Sequence, residues 1–122
     1  MALDYTLLGM SAGAHPLALV RRELRRRGVL SIAEVGDVPA GRMVRVAGWA
    51  ISAQRPPTAH GMGFVVLEDE TGRLPVALPP QVAANIHRVL REARVVQVLG
   101  RVERVGWYRA LLGLRMWGWD NG

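Results

Sequence analysis

Apolar residues recur along the first part of this chain at the spacing of a helix. Leu17, Val20 and Leu24 lie three or four residues apart, which places them on one helical face. Pro16 suits the first position of such a helix, and Gly28 is a typical residue at its end. The pattern therefore predicts a helix between Pro16 and Gly28.

A second, shorter helical signal follows. Ser31 and Glu34 have the spacing of a capping box, in which the two residues satisfy each other's backbone N–H groups at the start of a helix. Turn-forming residues come next and interrupt regular structure. We interpret residues 1–40 as a helical preface that packs on a domain formed by residues 41–122.

The second part of the chain shows the alternation typical of strands, with Val44 and Val46 on either side of Arg45. A helix opened by Pro79 and Pro80 is predicted between the third and fourth strands. The predicted strands cover residues 42–54, 63–68, 73–78, 95–103 and 107–116. This order predicts a mainly β protein, a five-stranded OB-fold Greek-key barrel preceded by an N-terminal helical segment. The tail from residue 117 has no periodicity, and we expect it to lie over the surface.

The charge balance favours an anionic partner. The chain of 122 residues carries 16 basic and 10 acidic residues, and every basic residue is Arg. Arginine binds phosphates through a planar fork and stacks on bases, although a GC-rich genome would also favour Arg over Lys. Residues 1–40 have a net charge of +1 and residues 41–122 a net charge of +5, so the surplus belongs to the predicted barrel.

Several function classes have no support in the composition. The chain has no Cys, and no apolar run approaches the ~18 residues of a membrane span. We therefore expect a cytoplasmic protein without a disulfide framework and without a membrane partner. Its 3 His residues are dispersed, and no Ser-His-Asp grouping occurs. We predict no metal, no cofactor and no enzymatic activity.

Three consecutive acids, Glu68, Asp69 and Glu70, end the second predicted strand. Side chains of neighbouring strand residues point to opposite faces, so these acids cannot all converge on one metal ion. We interpret them as the end of a strand and the start of a turn, which Thr71 and Gly72 complete.

Two blocks of the chain resemble a known family. They are "DYTLLGMSAGAHPLALVRRELRRRGVLSIAEV" and "VRVAGWAISAQRPPTAHGMGFVVLEDETG". In this order they are similar to the connector and the OB domain of bacterial C-family DNA polymerases, the DNA polymerase III alpha subunit and its error-prone relatives. The marks of the resemblance are Gly9, Ser11, His15, Pro16, Leu24, Gly28, Val46, Ala47, Gly48, Arg55, Thr58, Gly61, Phe64, Leu67, Glu68, Asp69, Thr71 and Gly72.

The chain also departs from that family. His60 stands where the family usually carries Lys, and Leu78 stands where an aromatic often precedes Pro79. Nothing corresponds to the polymerase body, whose palm holds two metal ions with clustered carboxylates. Because the chain begins with its own Met, we expect a free-standing copy of the OB module.

The loop between the first two strands is the first candidate binding region, because in OB-folds it flanks the nucleic-acid groove. Arg55 offers a fork for phosphate, Thr58 a hydroxyl and His60 a stacking surface. Phe64, the only Phe, takes the position of a base-stacking aromatic in related anticodon-binding OB domains. The alternatives are a solvated hairpin loop and, for Phe64, a place in the barrel core.

The turn between the last two strands is the second candidate region. Trp107 and Tyr108 lie between Arg104 and Arg109, and aromatics interleaved with Arg are typical of a single-strand groove. The alternative is a capped barrel end. Arg45 on the first strand is included as a further phosphate contact.

Other residues leave alternatives open. Trp49 is either a stacking platform or packs under the N-terminal helix, and we favour packing. The arginines from Arg21 to Arg27 are either a second phosphate patch or a solvated helix face. Trp117 and Trp119 are expected to cover apolar surface, and His15 to cap a helix.

Taken with the resemblance, these residues predict a non-enzymatic module that binds single-stranded nucleic acid, DNA before RNA, through phosphates and non-specific stacking. The alternative is a protein-interaction module that docks on a DNA polymerase or repair protein, with the Trp-rich tail as its contact. A third possibility is a gene remnant that folds without a function.

Overall fold

The computed structural model describes residues 16–119. The prediction for His15 lies outside these residues. A 3-10 turn at Pro16–Val20 leads into helix α1, Arg21–Arg26, so the first predicted helix begins with a 3-10 turn rather than an α turn. Gly28 ends it with a φ of 80°, a left-handed conformation that suits glycine.

Helix α2, Ile32–Val35, is the single turn that the capping box predicts. The Ser31 hydroxyl accepts the Glu34 backbone N–H, and the Ser31 N–H donates to the Glu34 carboxylate at 3.0 Å. The helix is too short to be stable alone, so the cap and its packing hold it in place.

The rest of the described chain forms a closed barrel in the order β1-β2-β3-β5-β4, in which β3 and β5 are parallel. This confirms the predicted OB-fold. The connection after β3 contains two short helices, where one was predicted. The elements are β1 Met43–Gln54, β2 Gly63–Asp69, β3 Gly72–Leu78, α3 Pro80–Ala83, α4 Ile86–Glu92, β4 Val95–Val105 and β5 Tyr108–Gly118.

Alternate residues of the strands point into the barrel and form its core, as the spacing of apolar residues predicts. Val46, Val65 and Val98 are almost fully buried there. Gly48 allows β1 to approach β2 closely, because a Cβ at this position would lie 2.8 Å from the Cβ of Leu67. The outward residues of the same strands are therefore the ones available for binding.

A second apolar cluster joins the preface to the barrel. Leu17 and Leu24 pack there with Val95 and Trp119, and Trp49 lies against them partly buried. Trp49 thus has the packing role that we favoured. The expectation that the tail lies over the surface is wrong for residues 117–119, because residues 117 and 118 complete β5 and Trp119 is buried at 6% exposure. Trp119 covers apolar residues as predicted, and residues 120–122 lie outside the described residues. The Trp119 backbone N–H donates to the Val95 carbonyl, which continues the sheet.

A buried ionic network fastens the preface to the turn between β2 and β3. Arg21 donates to Asp69 at 3.0 Å and to Glu70 at 2.6 and 2.7 Å. Asp69 also accepts the backbone N–H groups of Ile32 and Thr71. Arg21 is therefore neither a solvated residue nor part of a phosphate patch, because two carboxylates already hold it in a buried position.

Candidate nucleic-acid interface

The outward face of β2 and β3 is the floor of the candidate interface. Phe64 lies opposite Ala77, and Val66 lies opposite Pro75. Phe64 is 42% exposed, which excludes the alternative that it belongs to the barrel core. This face therefore offers one stacking ring and small apolar side chains, with few groups that could form hydrogen bonds to bases.

The loop between β1 and β2 stands at one end of this face. Arg55 donates through Nε to the Gly61 carbonyl at 3.3 Å, and Thr58 lies exposed in a 3-10 turn. His60 is exposed with a φ of 53°, followed by Gly61 with a φ of 86°. A left-handed histidine is strained, and such strain recurs at binding sites. The loop holds Arg55 at the end of the floor that Phe64 occupies.

The hairpin between β4 and β5 stands at the other end. Gly106, with a φ of 60°, makes the turn, and Trp107 is 91% exposed. Its ring meets Tyr108 edge to face, with centroids 5.4 Å apart. A tryptophan so exposed does not cap the barrel, so that alternative is excluded for Trp107.

Two arginines lie side by side next to this hairpin. Arg104 and Arg109 are opposite each other on β4 and β5, and they share the face of the inward pair Val102 and Leu111, just beyond the core. Like charges directly opposite in a sheet are unfavourable. Arg104 donates through Nε to the Gly106 carbonyl at 3.4 Å, and among residues 16–119 the buried Arg109 Nε has no acceptor. An anion between them would relieve the repulsion.

These arginines line an open groove of about 620 Å³. Helix α2 forms one wall through Ala33, and the β4–β5 hairpin forms the other through Trp107. Arg73 and Pro75 of β3 contribute the floor. The groove opens here because β3 pairs with β5 only at residues 76 and 77, and Pro75 has no N–H to extend the pairing. None of the described residues that line it is acidic.

Arg45 lies away from the groove. It points outward from β1 beside Leu99 of β4, whose other neighbour is Arg115 of β5. Both guanidinium groups lie over the ring of Trp117, at 5.9 and 5.8 Å from its centroid. The structure therefore brings together Arg104, Trp107, Tyr108 and Arg109, holds Arg55, Thr58, His60 and Phe64 at the other end of the floor, and separates Arg45 from both groups.

Within residues 16–119 no group of His, Asp and Glu is arranged to hold a metal ion. No helix in that part of the chain is long and apolar enough to cross a membrane.

Comparison with known proteins assigns the family. Residues 44–106 match the model of the OB-fold nucleic acid binding domain, which is more than half of the chain. The chain belongs to this OB-fold family. It is also 41% identical over 121 residues to an error-prone DNA polymerase of Alkalilimnicola ehrlichii, covering 99% of this chain and 12% of that polymerase. The chain thus spans about an eighth of the length of this relative.

Solved structures agree on the fold. An asparaginyl-tRNA synthetase from Pyrococcus horikoshii superposes on the OB domain with a TM-score of 0.57 and 22% identity, covering 72% of this chain and 22% of that one. A small single-stranded DNA binding protein from Mycoplasma pneumoniae superposes with a TM-score of 0.54 and 11% identity, covering 70% of this chain and 99% of that one. At these identities the likeness concerns the fold alone.

Sequence reasoning missed two parts of the OB domain's site. Arg73 shares the outward parity of Pro75 and Ala77, so its place on the floor was readable from the alternation. It donates to Glu68 at 2.9 Å, which partly neutralises it. The contribution of Ala33 had no signal in the sequence, because it depends on how the preface folds back over the barrel.

Proposed function

We propose that the OB domain binds single-stranded DNA along the outward face of β2 and β3. The strand runs from the β1–β2 loop, past Phe64, to the groove under the β4–β5 hairpin. Phe64 and Val66 are two residues apart on β2, about 7 Å at the rise of a strand, and Pro75 beside Val66 already lines the groove. The two ends of the site are thus joined by a continuous surface.

The observation that carries this proposal is the pair Arg104 and Arg109 in an acid-free groove, directly beside the exposed Trp107. The arginines supply charge and hydrogen-bond donors for phosphate, and the indole supplies a surface for a base. A site with both is suited to a nucleic acid, whereas a purely basic patch would suit any polyanion.

The chemistry of this surface favours binding of an unpaired strand without preference for its base sequence. Stacking on Phe64 or Trp107 requires a base that is free of a duplex. Sequence discrimination requires hydrogen bonds to base edges, which Pro75 and Ala77 cannot provide. The relatives are named as DNA polymerases, which supports DNA over RNA as the ligand.

A titration of labelled oligonucleotides tests the proposal. Single-stranded DNA should bind at low salt, and the slope of log K against log salt should be about −2 to −3.5 for roughly three to five neutralised phosphates. Duplex DNA of the same length should bind more weakly, and single-stranded RNA is measured in parallel. Absence of binding to single-stranded DNA at low salt would refute the proposal.

The same geometry argues for a module without catalysis of its own. Asp69 and Glu70 are held by Arg21, and Glu68 is held by Arg73. Nucleotidyl transfer needs carboxylates that converge on two metal ions, whereas these three carboxylates pair with arginines. We expect no primer extension by this chain with Mg²⁺ or Mn²⁺. Extension that persists through rigorous purification would contradict this expectation.

A further inference from the structure

We infer that the groove is a site for one nucleotide of the bound strand, and that helix α2 of the preface is a required wall of it. This inference rests on the proposed function and makes it more specific. The OB family match begins at residue 44, whereas α2 covers Ile32–Val35. The barrel alone would leave the groove open on that side.

The wall is fixed to the floor of the groove by specific contacts. The Ala33 backbone N–H donates to the Thr71 hydroxyl at 2.9 Å, and the Ile32 N–H donates to Asp69 at 2.8 Å. Arg21 donates to the same Asp69 oxygen, Oδ2, that accepts the Ile32 N–H. Preorganised walls reduce the ordering cost of binding. The acids at the end of β2 therefore serve the site by holding its wall, and they leave its interior free of negative charge.

The groove has the size and chemistry for a nucleotide. Its volume of about 620 Å³ lies within the roughly 300–1,000 Å³ of small-ligand sites. A phosphate between Arg104 and Arg109 would accept from the accessible N–H groups of both guanidinium groups. The base would lie against Trp107, whose ring has Tyr108 on one side and solvent elsewhere. A base held in this way cannot be paired, so the site selects single strands.

A charge placed on the wall tests this inference. Ala33→Glu puts a carboxylate into the groove at an exposed position in the first turn of α2, where acidic residues are favourable. Ala18→Glu is the matched control, since Ala18 is an exposed alanine of the preface that does not line the groove. Both variants change the net charge equally, so long-range electrostatics cancel in the comparison.

The probe is an oligothymidylate of about 12 nucleotides, within the roughly 4–16 that one OB-fold covers. Ala33→Glu should weaken its binding about tenfold or more, the size expected for like charges a few ångströms apart near a surface. Ala18→Glu should weaken binding about twofold or less, because salt screens distant charges. Equal effects of the two variants would show that the strand bypasses the groove. Failure of the wild type to bind the probe would instead refute the proposed function itself.

An abasic strand of the same length separates the base from the phosphate. The wild type should prefer oligothymidylate over the abasic strand by about fivefold or more, the lower end for stacking of one base. Trp107→Ala should remove about fivefold of that preference if the base lies in the groove. A preference that Trp107→Ala leaves unchanged would overturn the base assignment. A melting curve for each variant shows that it remains folded.

Discussion

Two surfaces of this barrel have the same residue types, two arginines and a tryptophan, but these side chains make different contacts on each surface. The groove contains Arg104 and Arg109 with Trp107, and the outward face of β1, β4 and β5 contains Arg45 and Arg115 with Trp117. On the second face, both guanidinium groups lie over the tryptophan ring. In the groove, Trp107 contacts only Tyr108 among the described rings, and the two arginines are opposite each other on β4 and β5.

The difference indicates which surface is prepared for a ligand. Arginines that stack on an indole already gain about 0.5–1 kcal/mol each at exposed sites, and a ligand would have to compete with that contact. Arginines opposite each other in a sheet are in an unfavourable arrangement, which a bound anion would stabilise. Residue type alone therefore does not identify the site, and Arg45 shows this: its charge suits phosphate, but its side chain is already engaged.

The largest effect, a loss of stability, should come from removing the ion pairs that help to hold helix α2 as the wall of the groove. Arg21→Met removes the guanidinium group that pairs with the buried Asp69 and the partly buried Glu70. Breaking a buried ion pair by removing one partner costs about 3–5 kcal/mol. We expect a fall of this size in the free energy of unfolding, measured by chemical denaturation.

The neighbouring residue supplies the control. Arg22 is exposed and forms no ion pair within the described chain, so Arg22→Met should change stability by about 0.5 kcal/mol or less. If Arg21→Met lost as little stability as Arg22→Met, the guanidinium group of Arg21 would contribute little. Arg21 would then act through its aliphatic stem, which Met retains.

The next effect compares the two surfaces directly. Arg104→Ala with Arg109→Ala should weaken binding of single-stranded DNA by about 2–4 kcal/mol, since contacts to charged groups are each worth about 1.5–3 kcal/mol and add incompletely. Arg45→Ala with Arg115→Ala removes the same charge from the outward face of β1, β4 and β5. We expect that variant to lose about 1 kcal/mol or less, measured by fluorescence anisotropy at one salt concentration. Equal losses would place the strand on both surfaces.

A smaller effect is expected at the other end of the floor. Arg55→Ala removes one exposed fork, and we expect a loss of about 1–2 kcal/mol in binding with little change in melting temperature. Arg88→Ala, at an exposed position on α4, is the control of equal charge. A lower melting temperature with unchanged binding would show that the contact of Arg55 with the Gly61 carbonyl serves to hold the loop.

The fold was more predictable than the site because its signals are local. Alternation and helical spacing found all five strands, and the spacing of Ser31 and Glu34 predicted α2. The extension of β5 to residue 118 was not predicted because the sequence has no periodicity from Trp117 onward. The strand continues there only through its pairing with β4. The split between α3 and α4 was missed because Ala84 and Asn85 carry no strong helix-breaking signal.

The site depends on contacts between distant parts of the chain. Arg21 lies four residues after Leu17 and three before Leu24, a spacing that places it on the apolar face of the helix. Its partner Asp69 is 48 residues away, and no local signal identifies that partner. Asp69 did carry a signal, since an Asp two residues before Thr and three before Gly is typical of an Asx turn. The separation of Arg45 from Arg104 follows from the closure of the barrel, which no periodicity reveals.

The smallest expected effect concerns the cap of the groove wall and depends on pH. The Ser31 backbone N–H, with the Ser31 hydroxyl and Arg25, holds the pKa of Glu34 below its ordinary value of 4.5. Because the pKa is lowered in the folded state, this stabilisation is complete above the ordinary value and is lost as pH falls through the folded value. Glu34→Gln retains a capping box without the charge. We therefore expect a variant less stable than the wild type by about 0.3–1 kcal/mol near neutral pH. The difference should decrease as pH falls below the ordinary value, as measured by denaturant titrations from about pH 7 to about pH 3. A difference that stays constant over this range would mean that Glu34 stabilises α2 through packing rather than through its charge.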